Sequence, residues 1–337
     1  SDYTLGQVGL TAFGESTSSL KLFDFKEVAG RTIGPFGPLG VLLSMFIPLG
    51  VALFFIIAYS QKTKSLIQAR NETKELEQEF TNSLFQLGNR LGDGLPAEIA
   101  FAKVASTTQG QRTQQFFALV NQNIQQLGMS VQDALFHPKR GATIFYPSAL
   151  IATSMKILVE SAKKGLEAAA RSLMSISEYV KNIHKIEERL RDLLAEVVSD
   201  MKSNMTFLAP LLAGVVVGLS AMITSILGKL QTLSDFGAGD QGLGGLGSLS
   251  DIISIFDVTE MIPPYFVQVS IGLYIIEIIF ILTAALVTVD AGRDPLKEKS
   301  ELAHNLKRGI SLYIITAFIA TIALLILSVI ALGGVVS

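Results

Sequence analysis

The fold is decided by the stretch Phe266–Val289, which reads FVQVSIGLYIIEIIFILTAALVTV and holds one charged residue, Glu277. A helix needs about 20 predominantly apolar residues to cross a bilayer, and this stretch is long enough. Three further stretches meet the same condition: 39–59, 206–227 and 310–332. Because four separate segments reach this length, we interpret them as transmembrane helices rather than as buried helices of a soluble core.

The composition supports a membrane protein. Of the 337 residues, 49% are hydrophobic and 17% are charged, whereas an average soluble domain has about 25% charged residues. Together with a mean hydropathy of +0.47, these values disfavour a disordered chain and an ordinary soluble enzyme. The formal net charge of −2 gives no basic field, so we expect no nucleic-acid partner. The sequence has no Cys, which excludes disulfides and thiolate metal sites.

Lysine and arginine residues set the expected orientation. They are frequent in 60–205 and in 290–309, whereas the connection 228–265 contains only Lys229. The positive-inside rule then places 60–205 and 290–309 in the cytoplasm, and 1–38 and 228–265 outside. We therefore predict a multi-pass protein of the cell (cytoplasmic) membrane.

Residues 60–205 are predicted to form an antiparallel helical bundle. Five apolar residues recur at steps of three and four, which places them on one helix face: Leu76, Phe80, Leu84, Leu87 and Leu91. This helix should end near Gly92, and shorter helices are expected over 96–106, 112–127 and 147–164. The predicted fold class is therefore all-α: a polytopic membrane protein with four transmembrane helices and one cytoplasmic helical bundle.

The last part of the bundle is predicted to be one long helix over 166–209, roughly 65 Å in length at 1.5 Å per residue. Its apolar residues follow heptad-like steps, broken only at Glu187: Leu173, Ile176, Val180, Ile183, Leu190, Leu194, Val197 and Met201. No Pro or Gly interrupts the pattern before Pro210. Such a helix would couple the bundle mechanically to the membrane.

Four short motifs follow one another along the bundle: a Gly-x-Pro turn, a Gly-x-Ser turn, an aromatic–Pro helix start and a Glu-x-x-x-x-Gly element. Their residues are Gly94 and Pro96, Gly128 and Ser130, Phe145-Tyr146-Pro147, and Glu160 and Gly165. In this order, the sequence resembles the secretion-system F domain, found in the platform proteins of type II secretion, type IV pili and archaella. The resemblance covers about 80–230. The part from Ile262-Pro263-Pro264 to the loop 290–294 looks like the archaeal branch of that family.

The resemblance implies a structural role rather than a catalytic one. Members of this family anchor a cytoplasmic hexameric secretion ATPase and pass its strokes to pilin-like subunits within the membrane lipid. We therefore expect a platform protein for an archaellum or an adhesion pilus. Bacterial pilus platforms usually carry two F domains, whereas this sequence has one. We expect the second F domain either upstream of Ser1 or in a partner chain. That partner is either a second copy of this protein, giving a homodimer, or another chain with an F domain.

Motifs for catalysis and cofactor binding are weak. The run 242–247 satisfies G-x-G-x-x-G, but it lies in a segment rich in Gly, Ser and Asp, so a flexible linker is the better interpretation. His137, His184 and His304 are far apart, and no carboxylate stands at zinc-ligand spacing. A phosphate-binding P-loop and a nucleophile elbow are both absent from the sequence. We expect no enzyme activity, no cofactor and no metal.

Glu277 is a candidate contact inside the membrane, because a carboxylate in a span is costly and by default suggests function. Three interpretations are open. The first is structural packing through Gln268, Ser270 or Tyr274. The second is a contact to a pilin or another protomer, and the third is proton movement.

Gly214 and Gly218 form a G-x-x-x-G element in the second span, which lets helices approach closely. Packing within the chain is favoured over a dimer contact. On the outer side, 248–264 is predicted to be an amphipathic helix that lies on the membrane surface or contacts a filament subunit.

The connection 290–309 is, with the bundle, the predicted contact for the ATPase. Its basic residues are Arg293, Lys297, Lys299, Lys307 and Arg308. These residues satisfy the positive-inside rule, and they would also suit docking of a motor. In the docking case, reversing Lys297 and Lys299 to Glu weakens ATPase co-purification.

Two other classes of function stay open. A small transporter or channel is the main alternative, although three spans are almost free of polar residues and paired broken helices are not evident. A membrane-anchored signalling protein with a coiled-coil stalk would need an output domain, which the sequence does not show. A neighbouring gene for a secretion ATPase would favour the platform protein.

Overall fold

The computed structural model describes residues 23, 25–28, 31–237 and 262–336. The chain forms two compact units. We call Lys64–Ala195 the bundle unit, and Ser1–Thr63 together with Glu196–Ser337 the membrane unit. The Gly-rich run 242–247, most of the predicted amphipathic helix 248–264 and most of the N-terminal segment 1–38 lie outside the described residues.

Helices make up nearly all of the described residues. Their bounds are α1 Pro38–Ser44, α2 Phe46–Gly92, α3 Ala97–Thr107, α4 Arg112–Gln125, α5 Val131–Phe136, α6 Ala142–Phe145, α7 Ala149–Ala162, α8 Leu166–Ser203, α9 Ala209–Gly237, α10 Pro264–Ala291 and α11 Pro295–Val336. A π-helical segment, Asn204–Leu208, joins α8 to α9. A hairpin of β1 Lys26–Val28 and β2 Arg31–Ile33 pairs Glu27 with Thr32. Apart from this hairpin, the predicted all-α fold is confirmed for the described residues.

Four helical stretches are long and apolar enough to cross a membrane: Leu39–Gly92, Leu166–Leu227, Pro264–Ala291 and Pro295–Ser328. The first three contain the predicted spans 39–59, 206–227 and 266–289, and the fourth contains most of the span 310–332. By length and composition, the structure therefore agrees with the prediction of a multi-pass membrane protein. The helices extend well beyond the spans. With 47 residues, α2 is about 70 Å long, and it has no break at the expected boundary between residues 59 and 60.

The structure differs from the sequence analysis at the expected loop 290–309. Only residues 292–294 leave the helical conformation, and α11 begins at Pro295. The carboxylate of Asp294 accepts a hydrogen bond from the backbone N–H of Lys297 at 3.1 Å. An acidic cap followed by proline in the first helical turn is a favoured start for a helix. Most of the expected loop is therefore helix.

A second difference concerns the helix end expected near Pro210. In a regular α-helix, a proline at this position would clash with the carbonyl of Thr206 and lacks a donor N–H. The chain instead forms the π-helical segment, in which the N–H of Ala209 donates to the carbonyl of Asn204, five residues back. The wider turn accommodates the proline, so the helix continues into α9.

An aromatic and aliphatic core holds the bundle unit together. Phe80, Phe101, Phe116 and Phe117 are completely buried. The ring of Phe80 stacks on Phe117 with centroids 5.8 Å apart and meets Phe116 edge-on at 5.5 Å. The apolar stripe predicted along α2 is buried in the same core, so that prediction is confirmed.

The membrane unit brings helices together at glycines. A Cβ atom added to Gly272 would lie 2.6 Å from Pro48 Cβ, and one added to Gly309 would lie 2.6 Å from Ile279 Cδ1. Real Cβ atoms essentially never come this close. The rigid proline ring cannot move aside, so only glycine fits at Gly272, whereas at Gly309 the end of the Ile279 side chain would have to shift. Small residues serve this purpose in membrane proteins, where close packing rather than water drives helix association.

Buried polar pairs add to the packing of the membrane unit. The Tyr313 hydroxyl donates to Gln268 Oε1 at 3.0 Å, and Asn305 Nδ2 donates to Thr283 Oγ1 at 3.2 Å. All four side chains are completely buried. Both pairs link α10 to α11.

Candidate functional site

The motif residues that carry the family resemblance begin or end helices. Gly94 has φ +82°, a left-handed conformation that favours glycine. Its N–H donates to Leu91 O at 3.0 Å, and the next N–H, of Leu95, donates to Arg90 O at 3.2 Å. This pattern closes the C-terminus of α2. Pro96 then occupies the N-cap of α3.

The other turns follow the same logic. Gly128, which follows α4, has φ +63°, and Gly165, which lies between α7 and α8, has φ +120°. Ser130 caps α5: its Oγ accepts the N–H of Asp133 at 3.1 Å and donates to the Asp133 carboxylate at 2.7 Å. Glu160 pairs with Lys163 at 2.9 Å on the surface. Turn formation thus accounts for the glycines, proline and serine of the motifs.

Residues within or next to three of the four motifs line one cleft of about 380 Å³ in the bundle unit. It is formed by the start of α3, the first turn of α5, α7 and the start of α8. Its lining residues are Pro96, Ala97, Glu98, Val131, Leu158, Val159, Ala162, Lys163 and Leu166. The lining is apolar except for Glu98 and Lys163, so the cleft suits an apolar side chain of a partner.

The fourth motif does not line the cleft: Phe145 and Pro147 are exposed, and the half-buried Tyr146 packs against the core of the bundle unit. Tyr146 meets the ring of Phe116 edge-on at 5.6 Å, and its hydroxyl donates to Gln115 Oε1 at 3.4 Å. Burial raises the pKa of the Tyr146 hydroxyl above its usual value. Ser148, rather than Pro147, caps α7 by accepting the N–H of Ile151 at 3.2 Å.

An apolar stripe runs along the exposed side of α8. Its members are between 37% and 77% exposed and repeat at steps of four, three, four and three: Tyr179, Ile183, Ile186, Leu190 and Leu193. The sequence analysis placed a heptad seam on α8 that Glu187 interrupts. Glu187 does not interrupt the exposed stripe. The stripe follows a neighbouring row of positions on α8 and has only Ile183 and Leu190 in common with the seam. Continuous exposed apolar surfaces of this kind are typical of interaction sites.

The five basic residues near the start of α11 fall into two groups. Lys297 is half-buried and donates to the carboxylate of Asp290, so it braces the turn between α10 and α11. Arg293, Lys299, Lys307 and Arg308 are exposed and form no ion pair with any residue that the structure describes. Only these four side chains are free to meet a partner.

Gly214 and Gly218 face α11 within the same chain. A Cβ atom at Gly218 would lie 2.7 Å from Ala320 Cβ, and one at Gly214 would lie 2.7 Å from the backbone N of Ala317. The two glycines therefore bring α9 and α11 together and are not available to a second chain.

Glu277 is exposed on the outer side of α10 and makes no hydrogen bond or ion pair within residues 31–237 and 262–336. The sequence analysis considered a contact through Gln268, Ser270 or Tyr274. Gln268 instead accepts from Tyr313, while Ser270 and Tyr274 are exposed on the same side of α10 as Glu277.

Sequence reasoning missed the pairs Gln268–Tyr313 and Asn305–Thr283. A signal was present, since Gln268 is an amide in an otherwise apolar span and such residues usually bond across helices. Which helix supplies the partner depends on packing that the sequence does not show. In the part of the chain that the structure describes, no three His, Asp or Glu side chains converge to hold a metal ion.

Comparison with known proteins gives no relative: the chain matches no family model, no curated protein and no solved structure.

Proposed function

We propose that this protein is a platform for filament assembly in a cell membrane. It couples a cytoplasmic hexameric secretion ATPase to the addition of pilin-like subunits to a type IV pilus-like filament, either an archaellum or an adhesion pilus. The motivation is the resemblance to the archaeal branch of the secretion-system F domain. In this proposal the bundle unit is the F domain.

One observation supports the proposal most strongly: helices pass from one unit into the other without a break. The boundary between Thr63 and Lys64 lies inside α2, and the boundary between Ala195 and Glu196 lies inside α8. No Gly or Pro occurs in 51–87 or in 167–203. Sharp kinks in helices almost always occur at Pro, Gly or π-helical turns, and helices without them suit a part that transmits a mechanical stroke.

The distribution of charge gives the expected side for the motor. By the positive-inside rule, the bundle unit and the start of α11 face the cytoplasm. The apolar stripe of α8 and the exposed basic residues of α11 are then both available to a cytoplasmic partner. In interfaces, apolar anchors supply most of the affinity, whereas charges at the rim raise the association rate.

The structure changes which charges are worth testing. Reversal of Lys297 breaks its ion pair with Asp290 and so perturbs the turn itself. Lys307 and Arg308 are adjacent, exposed and unpaired among the described residues. We expect the double variant Lys307→Glu/Arg308→Glu to associate about tenfold more slowly with the ATPase at low salt, because steering is lost.

The matched control is Lys139→Glu/Arg140→Glu, which reverses another exposed, adjacent Lys–Arg pair and changes the net charge equally. The measurement is co-purification of a hexameric secretion ATPase of the same cells with the full-length protein from membranes, at two salt concentrations, with membrane insertion checked in parallel. Equal loss in both variants would attribute the effect to net charge or to docking through the bundle unit, and not to α11 in particular. No loss in either would remove α11 from the docking surface, and no ATPase bound to the unmodified protein would refute the proposed function.

A further inference from the structure

Glu277 lies too deep in a membrane span to reach water. It stands at the middle of α10, about 20 Å from either end of that helix at 1.5 Å per residue. The hydrocarbon core of a bilayer is about 30 Å thick, so a group at its centre is about 15 Å from each interface. The glutamate side chain is too short to cover this distance. An exposed carboxyl at this depth needs a hydrogen-bonding partner from outside the described chain.

A donor is exposed on the same side of α10. Tyr274 is one helical turn away from Glu277 and is 59% exposed. Tyr274 has a hydroxyl that donates, and Glu277 has a carboxyl that accepts. Their surroundings are apolar, with Leu273 and Ile281 exposed beside them. Neither Tyr274 nor Glu277 forms a hydrogen bond within the described residues.

We infer that this face of α10, formed by Ser270, Tyr274, Glu277 and Ile281, binds the same face of a second copy of the protein. In the contact, each Tyr274 hydroxyl donates to the Glu277 carboxyl of the other copy. We call these four residues the α10 face.

The choice of a second copy follows from donor–acceptor complementarity. Two copies inserted the same way into one bilayer are related by a two-fold axis along the membrane normal, so their α10 helices run parallel. A two-fold contact then forms the same hydrogen bond twice and satisfies both polar groups of each chain. A different partner would have to bring its own donor to one group and its own acceptor to the other. This inference stands independently of the role in filament assembly.

Cross-linking tests the contact directly, because the sequence has no Cys. We propose single variants Ser270→Cys and Ile281→Cys on the α10 face, oxidised in membranes of the cells that express the full-length protein. The matched control is Ile319→Cys on α11, since Ile319 is 60% exposed and Ile281 is 61% exposed. We expect disulfide-linked dimers from both α10 variants and only background dimer from the control.

Substitutions in the Ile281→Cys background test the hydrogen bonds. Glu277→Leu and Tyr274→Phe each remove both symmetric bonds, and we expect dimerisation to weaken about sevenfold, the effect of two average interhelical hydrogen bonds. Glu277→Gln keeps a carbonyl acceptor for Tyr274, so it should retain most of the dimer. These side chains are exposed, so the thermal unfolding of the detergent-solubilised monomer should not change.

Three results would overturn the inference. The first is equal cross-linking through Ile319→Cys, which indicates random collision. The second is cross-linking of the α10 face to a smaller protein instead of a second copy, which assigns the face to another membrane partner. The third is a dimer that forms equally with Glu277→Leu and Glu277→Gln, which means that the carboxyl has no part in the contact.

Discussion

The bundle unit buries four phenylalanines at its centre, whereas the membrane unit buries glycine contacts and hydrogen-bonded pairs. In the bundle unit, Phe80 and its neighbours remove apolar surface from water, which is the main favourable term in folding. Within a bilayer, lipid tails are as apolar as the side chains of a neighbouring helix, so burying apolar side chains between helices gains little. Close packing and polar hydrogen bonds stabilise the helix contacts instead. The difference shows that the solvent decides which residues hold a helix pair together.

The largest expected effect is in the aromatic core. Phe80→Ala should lower the free energy of opening of the bundle unit by about 3–5 kcal/mol, because it removes a completely buried ring and leaves a cavity. Hydrogen exchange of α3 and α4 amides in the detergent-solubilised full-length protein measures this. The control is Phe85→Ala on the same helix, where the ring is half-exposed and lies 5.1 Å from the Lys181 ammonium. Its expected cost is about 0.5–1 kcal/mol, and equal costs would contradict the assigned core.

A smaller effect is expected at the glycine contact between α9 and α11. Gly218→Leu places side-chain atoms where Ala320 already lies, so we expect a loss of about 1–3 kcal/mol. The thermal unfolding midpoint in mild detergent should fall accordingly. Gly50→Leu serves as the control, because a Cβ at Gly50 meets nothing within 4 Å. If Gly218→Leu left the midpoint unchanged, close approach of these helices would not be a source of stability.

The smallest effect is expected for a buried polar pair. Tyr313→Phe removes the hydroxyl that donates to Gln268, and interhelical hydrogen bonds in membranes contribute about 0.6 kcal/mol on average. Unfolding of the membrane unit should therefore shift by less than in Gly218→Leu. Tyr274→Phe, which removes an exposed hydroxyl, should leave the unfolding of the monomer unchanged. A larger loss for Tyr313→Phe than for Gly218→Leu would reverse the ranking of polar bonds and packing.

Much of the fold could be predicted, because the spacing of apolar residues along a helix indicates which of its sides is buried. The stripe along α2, from Leu76 to Leu91, is buried as its spacing indicates. The helix boundaries near Pro210 and Pro295 were less predictable, because proline is compatible with both a helix end and a helix interior or start. A π-helical segment in one case and an Asp294 cap in the other decide between them.

The contacts of the candidate site residues could be predicted less well from the sequence. Lys297 and Lys299 look equivalent in the sequence, yet one is held by Asp290 and the other is exposed. Gly214 and Gly218 suit either a dimer or an internal contact, and only their distance from α11 distinguishes the two. Sequence patterns identify which residue types are unusual, but pairing between distant helices determines which of them remain free.

The π-helical segment Asn204–Leu208 has a consequence for how this helix can change in evolution. One extra residue in a turn rotates everything after it by about 100° relative to an uninterrupted α-helix. Gly214 and Gly218 point at α11 only in this rotated frame. A one-residue deletion in the segment would remove the wider turn that accommodates Pro210 and would turn both glycines away from α11, whereas substitutions there would leave the frame intact. The length of this segment should therefore be constrained more tightly than its amino-acid identities.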